Sequence, residues 1–226
     1  MLGLAMLLGP SVASILLTGL ASGRVGLREL LSRLLRWRVG ARWYAVALLT
    51  APLSTVVVLL ALSLLSPEFL PVIFTSDDKA TLALTGIAAG LMVGFFEELG
   101  WTGFAVPRLR LRHGVLATGL IVGLLWGAWH FILFWESGSF SGALPLALLL
   151  GRLFSWLPAY RVLMVWVYDR TGSLLVAILM HVSLVASTVI VDPPLTGGSL
   201  LAYILVRAAV LWVVVAVVAL AQRRAA

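Results

Sequence analysis

The chain has 226 residues, of which 62% are hydrophobic and 11% charged, and a formal net charge of +7; its mean hydropathy is +1.11. An average soluble domain is roughly 45–50% apolar and about 25% charged, so there are too few polar residues here to coat a soluble globule, and lipid must replace water over much of the surface. A soluble enzyme and a nucleic-acid-binding domain are thereby excluded, and the absence of cysteine rules out disulfides, thiolate metal sites and cysteine nucleophiles. Asn is also absent and Lys79 is the one lysine among 16 basic residues, a bias that points to a GC-rich bacterial genome.

A bilayer core about 30 Å thick needs about 20 apolar residues as helix. Runs of that kind occur in order at Met1–Leu20, Trp43–Leu65, Thr81–Val106, Val115–Trp135, Ala143–Val167, Ser173–Val191 and Ser199–Ala221. The expected fold is all-α: a polytopic transmembrane helical bundle of about seven helices. It forms a single membrane domain over residues 1–226 with a motif-bearing core at about 81–191. The first run has no Lys or Arg before Arg24, so it lacks the charged region of a signal peptide. No internal repeat or low-complexity linker divides the chain, and Asp192–Gly198, with two prolines and two glycines, is a turn.

The loops alternate in charge. Arg24, Arg28, Arg33, Arg36, Arg38 and Arg42 lie between runs one and two. Arg108, Arg110 and Arg112 follow run three, Arg170 follows run five, and Arg223 and Arg224 end the chain. The other side carries Glu68, Asp77, Asp78, Lys79, Glu136 and Asp192. The arginine side is expected to be cytoplasmic, with the N-terminus outside and the C-terminus inside, in a bacterial cytoplasmic membrane. Leu27, Leu30, Leu31, Leu34 and Leu35 give Arg24–Arg42 helical spacing, which predicts an amphipathic helix on the inner surface in contact with anionic lipid.

An ionisable group inside the bilayer marks a site by default. Run three carries Glu97 and Glu98, run four His130 and run six His181; runs five and seven carry Arg152, Arg161 and Arg207. The arginines can pair with the glutamates, snorkel, or bind lipid headgroups. His113 sits beside Gly114 in a basic loop and reads as a surface residue. Adjacent helical residues point about 100° apart, so Glu97 and Glu98 need separate partners. Two histidines and a carboxylate on three helices suit a catalytic Zn²⁺ with an open position, or a water held directly with the carboxylate as general base. No GxSxG, HExxH or intramembrane Asp pair is present.

Taken in order, Glu97-Glu98-Leu99-Gly100-Trp101-Thr102, Trp126-Gly127-Ala128-Trp129-His130 and His181-Val182-Ser183-Leu184-Val185 resemble the EExxxR, FxxxH and HxxxN motifs of the CPBP intramembrane proteases. That family includes the type II CAAX prenyl endopeptidases and bacteriocin-processing or immunity-associated proteins. The motifs are separated by 33 and 51 residues, counted between Glu97, His130 and His181, and the resemblance is best from Gly90 to Ser187. It implies an endopeptidase acting on a membrane-associated or lipid-anchored peptide. Glu97 would be the general base, with Glu98 assisting or structural, and His130 and His181 would hold water or, with Glu97, a zinc ion. It also implies a cytoplasm-facing cavity that admits a substrate's C-terminal segment or a helix end. Membrane lipid and a peptide or membrane-protein substrate are the implied partners, and nucleic acid is not.

Three positions depart from the pattern: Thr102 stands at the motif Arg, Trp126 at the motif Phe and Val185 at the motif Asn. Thr102 removes a cation that could order the glutamates, and Val185 removes an amide; Ser183, Ser187 or Thr188 would have to supply a hydroxyl instead. The family has about eight helices against about seven here, so an N-terminal helix is missing or the start misassigned. Two other readings stand beside the protease: a pseudoenzyme on the same fold that binds a membrane peptide, and a small transporter or proton relay. The latter should show two similar halves, and none are seen. His130 lies 16 residues into its run and His181 9 residues into a parallel one, a depth difference of about 10 Å. A shared pocket therefore requires the Pro107–Gly114 loop to sit outside the bilayer or run four to tilt.

Overall fold

The computed structural model describes residues 2–224, and the side chains of residues 3–222. Met1, at the start of the first run, and the side chains of Arg223 and Arg224, which the topology argument uses, lie outside the described residues. All regular structure among them is helical. Eight principal helices follow in chain order: α1 (Leu2–Leu34), α2 (Ala41–Ser63), α3 (Lys79–Gly100), α4 (Val115–Trp129), α5 (Ala143–Phe154), α6 (Leu157–Thr171), α7 (Leu174–Val191) and α8 (Gly197–Arg224). Among the described residues six stretches are long and apolar enough to cross a membrane: Gly3–Leu34, Ala41–Ser63, Lys79–Arg110, Ala143–Thr171, Leu174–Val191 and Gly197–Gln222. Val115–Trp129 is apolar but shorter. Large apolar side chains such as Leu16, Val57, Leu84 and Val217 stay exposed on these helices, as a lipid-facing surface requires.

Four expected boundaries move. The first run extends to Leu34, across a break at Gly23, whose φ of 57° is open to glycine. Helix ends at Leu34, so the amphipathic segment stops before Arg36–Gly40, and only part of its leucine face docks: Leu30 is buried against Leu99, Leu174 and Ile178 while Leu31 and Leu35 are exposed. Run three continues past Gly100 through a π-helical turn, Trp101–Ala105, into Val106–Arg110. Run four stops at Trp129 instead of Trp135. His130 caps it with its own backbone amide, and the short helix Phe131–Phe134 follows. At about 22 Å, α4 is shorter than the hydrocarbon core of about 30 Å, and His130 lies at its terminus. Run five is two helices: Pro158 has no N–H to give the Phe154 carbonyl, so α5 ends there and α6 begins at Leu157.

Two glycine rows set the packing. Gly86, Gly90 and Gly94 of α3 let α7 approach until a Cβ at Gly90 would lie 2.6 Å from the Val182 carbonyl oxygen. Gly119, Gly123 and Gly127 of α4 do the same against α6 and the end of α5, where a Cβ at Gly127 would lie 2.1 Å from the Leu153 carbonyl oxygen. Small residues at four-residue spacing permit such close crossings in membranes. Helices α6 and α7 form the centre of the bundle, with 11 of 15 and 11 of 18 residues buried. Gly127→Ala should destabilise the protein by about 1–3 kcal/mol, because backbone rather than a flexible side chain must yield. Gly114→Ala, where a Cβ meets nothing within 4 Å, should cost less, under about 1 kcal/mol, the loss of a glycine N-cap.

Candidate active site

The adjacent glutamates of α3 do find separate partners. Glu98 is fully buried. Arg161 of α6 donates from Nη1 to both of its oxygens, at 2.9 and 2.8 Å; His181 Nδ1 lies 2.8 Å from Oε1, and the Thr102 hydroxyl donates to Oε2. The carboxylate is thus saturated by three residues from two further helices and the π-helical turn. Arg161 is also fully buried, with its guanidinium carbon 4.1 Å from the Trp126 ring centroid. The cation missing from position 102 therefore enters from another helix, and Thr102 contributes a hydrogen bond in its place.

Glu97 faces the other way. Its Oε2 accepts the Trp126 indole N–H at 2.9 Å, and its side chain lines a cavity of about 530 Å³ together with Trp126, His130, His181 and Val185. A phenylalanine at position 126 could supply the aromatic wall but not this hydrogen bond. Trp126 also joins the histidines: its ring meets His130 edge-on at a centroid distance of 5.1 Å and His181 at 5.2 Å. The indole thereby contacts both imidazoles, which line one cavity.

Each imidazole is oriented from its Nδ1 side. His130 Nδ1 lies 2.7 Å from the Trp126 carbonyl, which only accepts, so Nδ1 carries the proton and Nε2 is the free lone pair of the neutral ring. His181 Nδ1 donates to the Glu98 carboxylate by the same logic. The hydroxyls that might have replaced the missing amide are partly spoken for. Ser183 donates to the Leu48 carbonyl at 2.7 Å and Ser187 to the Ser183 carbonyl at 2.7 Å, while Thr188 lines the cavity.

The other two arginines of the apolar runs do not reach Glu97 or Glu98. Arg152 lies 3.6 Å from Glu136, and Arg207 contacts Asp192 at 3.5 Å and Tyr203 at 3.2 Å with its guanidinium 4.2 Å from the Trp156 centroid. Both line the end of the cavity away from Glu98. His113 is exposed in the loop after run three, apart from the site. The cavity walls come from the start of α1, Leu133 and Phe134, the end of α7 and the start of α8. It therefore occupies the half of the bundle nearest the acidic loops, so the expected cytoplasm-facing cavity and a cytoplasmic arginine end exclude each other.

A zinc ion on Glu97, His130 and His181 would need three donors gathered round one point. Among the described residues no group of three or more His, Asp and Glu side chains is so placed. Trp126 contacts both imidazoles and takes one oxygen of Glu97. As placed, the side chains of the described residues do not form a three-ligand metal site.

Two residues of this site were only half visible in the sequence: Arg161, one of three intramembrane arginines without an assigned partner, and Trp126, whose N–H has no counterpart in the phenylalanine it replaces. Residues 79–187, which hold every residue of the Glu/His cluster, match the model of the Rce1-like type II CAAX prenyl endopeptidases. Over 75 residues the chain is 31% identical to CAAX prenyl protease 2 of Methanococcus maripaludis, a stretch that is 33% of this chain and 22% of that relative. The chain thus spans about a fifth of the length of the curated relative it matches.

Proposed function

We propose, from the match of residues 79–187 to the Rce1-like type II CAAX prenyl endopeptidases and the 75-residue likeness to a CAAX prenyl protease, that the chain is an intramembrane endopeptidase of that kind. The observation that carries the reading is one cavity lined by Glu97, His130 and His181, with Glu98 saturated behind it. Glu97 Oε1, the oxygen not taken by Trp126, is the general base. It removes a proton from a water that also hydrogen-bonds to an imidazole Nε2, and the hydroxide oxygen bonds to the scissile carbonyl carbon. Glu97 then passes its proton to the amide nitrogen as the C–N bond breaks, which balances the hydrolysis. Glu98 is a positioning residue that holds the His181 ring and its tautomer, as carboxylates do for catalytic histidines.

The substrate class is a membrane-associated or lipid-anchored peptide, since the cavity walls are largely apolar side chains such as Met92, Leu133 and Leu184. The arginine-bearing loops lie in the cytoplasm, with the N-terminus outside. The experiment that tests the function is cleavage of a peptide reporter in proteoliposomes, wild type beside Glu97→Gln. One observation favours a second reading, a peptide-binding protein without activity: Val185 leaves the cavity wall without the motif amide. Equal behaviour of wild type and Glu97→Gln would select it. EDTA should leave cleavage unchanged, because three metal-binding side chains do not converge. Loss of activity on chelation, restored by zinc, would overturn the metal-free mechanism.

A further inference from the structure

Trp126 contacts Glu97, Arg161, His130 and His181. Its indole N–H donates to Glu97 Oε2 at 2.9 Å, and the Arg161 guanidinium lies 4.1 Å from its ring centroid. The two imidazoles meet the ring edge-on at 5.1 and 5.2 Å, and the Trp126 carbonyl accepts from His130 Nδ1 at 2.7 Å. Thr102 leaves the glutamates without a cation from their own helix. Arg161 orders Glu98 in its place, and the indole that packs on Arg161 is the group that holds Glu97.

The fold fixes Trp126 itself. It is 1% exposed and belongs to the buried apolar cluster that includes Leu157, Tyr160 and Leu184. Glycines on either side press its backbone onto the neighbouring helices: a Cβ at Gly123 would lie 2.6 Å from Pro158 Cα, and one at Gly127 2.1 Å from the Leu153 carbonyl oxygen. An indole pinned at both backbone and ring points its N–H in one direction. Glu97 has no such support of its own. Among the described residues the indole is the one side chain hydrogen-bonded to its carboxylate. Without that bond a flexible glutamate side chain is free to turn among its rotamers in a cavity of about 530 Å³.

We propose that Trp126 is a positioning residue for the hydrolysis: its indole N–H holds the Glu97 carboxylate with Oε1 toward the water, in register with the imidazoles that pack on the same ring. Resting on the protease reading, this assigns the indole nitrogen a role that a phenylalanine at the same position could not fill. Holding a reacting group in its productive geometry acts on the chemical step rather than on substrate affinity.

Replacing Trp126 by benzothienylalanine, introduced at an amber codon, puts sulfur where the indole N–H stands and keeps the size and shape of the ring. In proteoliposomes kcat on a peptide reporter should fall about 10–100-fold, the worth of one hydrogen bond to a charged group. KM and the unfolding midpoint should stay near wild type. Trp126→Phe should lose at least as much kcat and some stability besides, because the smaller ring leaves a gap. In a Glu97→Gln background, read in single turnover with enzyme in excess, the benzothienyl replacement should cause no further loss, since the base it positions is gone. Wild-type kcat in the benzothienyl protein overturns the proposal, as does a loss confined to KM or one that multiplies with the loss from Glu97→Gln. A Glu97→Gln protein that cuts like wild type sinks the protease reading itself. An inactive Glu97→Gln protein beside a fully active benzothienyl protein sinks only the role of Trp126.

Discussion

Glu97→Gln should lower kcat on a reconstituted peptide reporter by about 10²–10⁴-fold, the usual contribution of a positioned general base, and leave the unfolding midpoint at the wild-type value. The amide is isosteric, and its carbonyl oxygen can still accept the Trp126 indole N–H that Oε2 accepts now. What it loses is the ability to take a proton from water, so the defect should fall on kcat and leave KM near wild type. A matched loss of stability would instead identify Glu97 as part of the folding core. That outcome is not expected of a side chain that lines the cavity and makes one hydrogen bond to another side chain.

Arg161→Met should have the largest effect on stability, a loss of about 3–5 kcal/mol, because breaking a buried ion pair leaves one charge uncompensated. Glu98 and Arg161 are both fully buried, and the guanidinium donates to both carboxylate oxygens. The double variant Arg161→Met/Glu98→Met should recover much of that loss, since apolar side chains of similar volume often replace a buried pair without penalty. It should not recover cleavage, because His181 Nδ1 then has no acceptor to hold its ring. Chemical denaturation in detergent reads the first quantity and proteoliposome turnover the second. Recovery of both together would show that Glu98 contributes only to folding and that His181 needs no partner.

The pair illustrates how the sequence and the folded chain divide the information. That Glu97 and Glu98 cannot share a partner follows from the helical period alone, and the search for a second partner on another helix was already implied. Which arginine answers Glu98 was not legible. Arg152, Arg161 and Arg207 lie in apolar runs of similar character, and the choice depends on the break at Phe154. Pro158 starts a new helix there, and Arg161 is the one that reaches Glu98. Run four shows the same limit. Its apolar composition continues to Trp135, but the helix closes at Trp129, and the short helix Phe131–Phe134 follows.

The sequence by itself determined the solvent, the all-helical class, the order and approximate positions of the crossings, the charge asymmetry of the loops and the residues Glu97, Glu98, His130 and His181. Each is a local property: an apolar run long enough to span a bilayer, or an ionisable side chain inside one. Only the tertiary structure decided the division of labour between the glutamates, the contact of both imidazoles with the Trp126 indole, and the placement of the cavity toward the acidic loops. Those depend on which helix faces meet and how closely. In a bilayer that is set by steric fit, here by the glycine rows of α3 and α4. An apolar pattern that reads the same on every face carries little of that information.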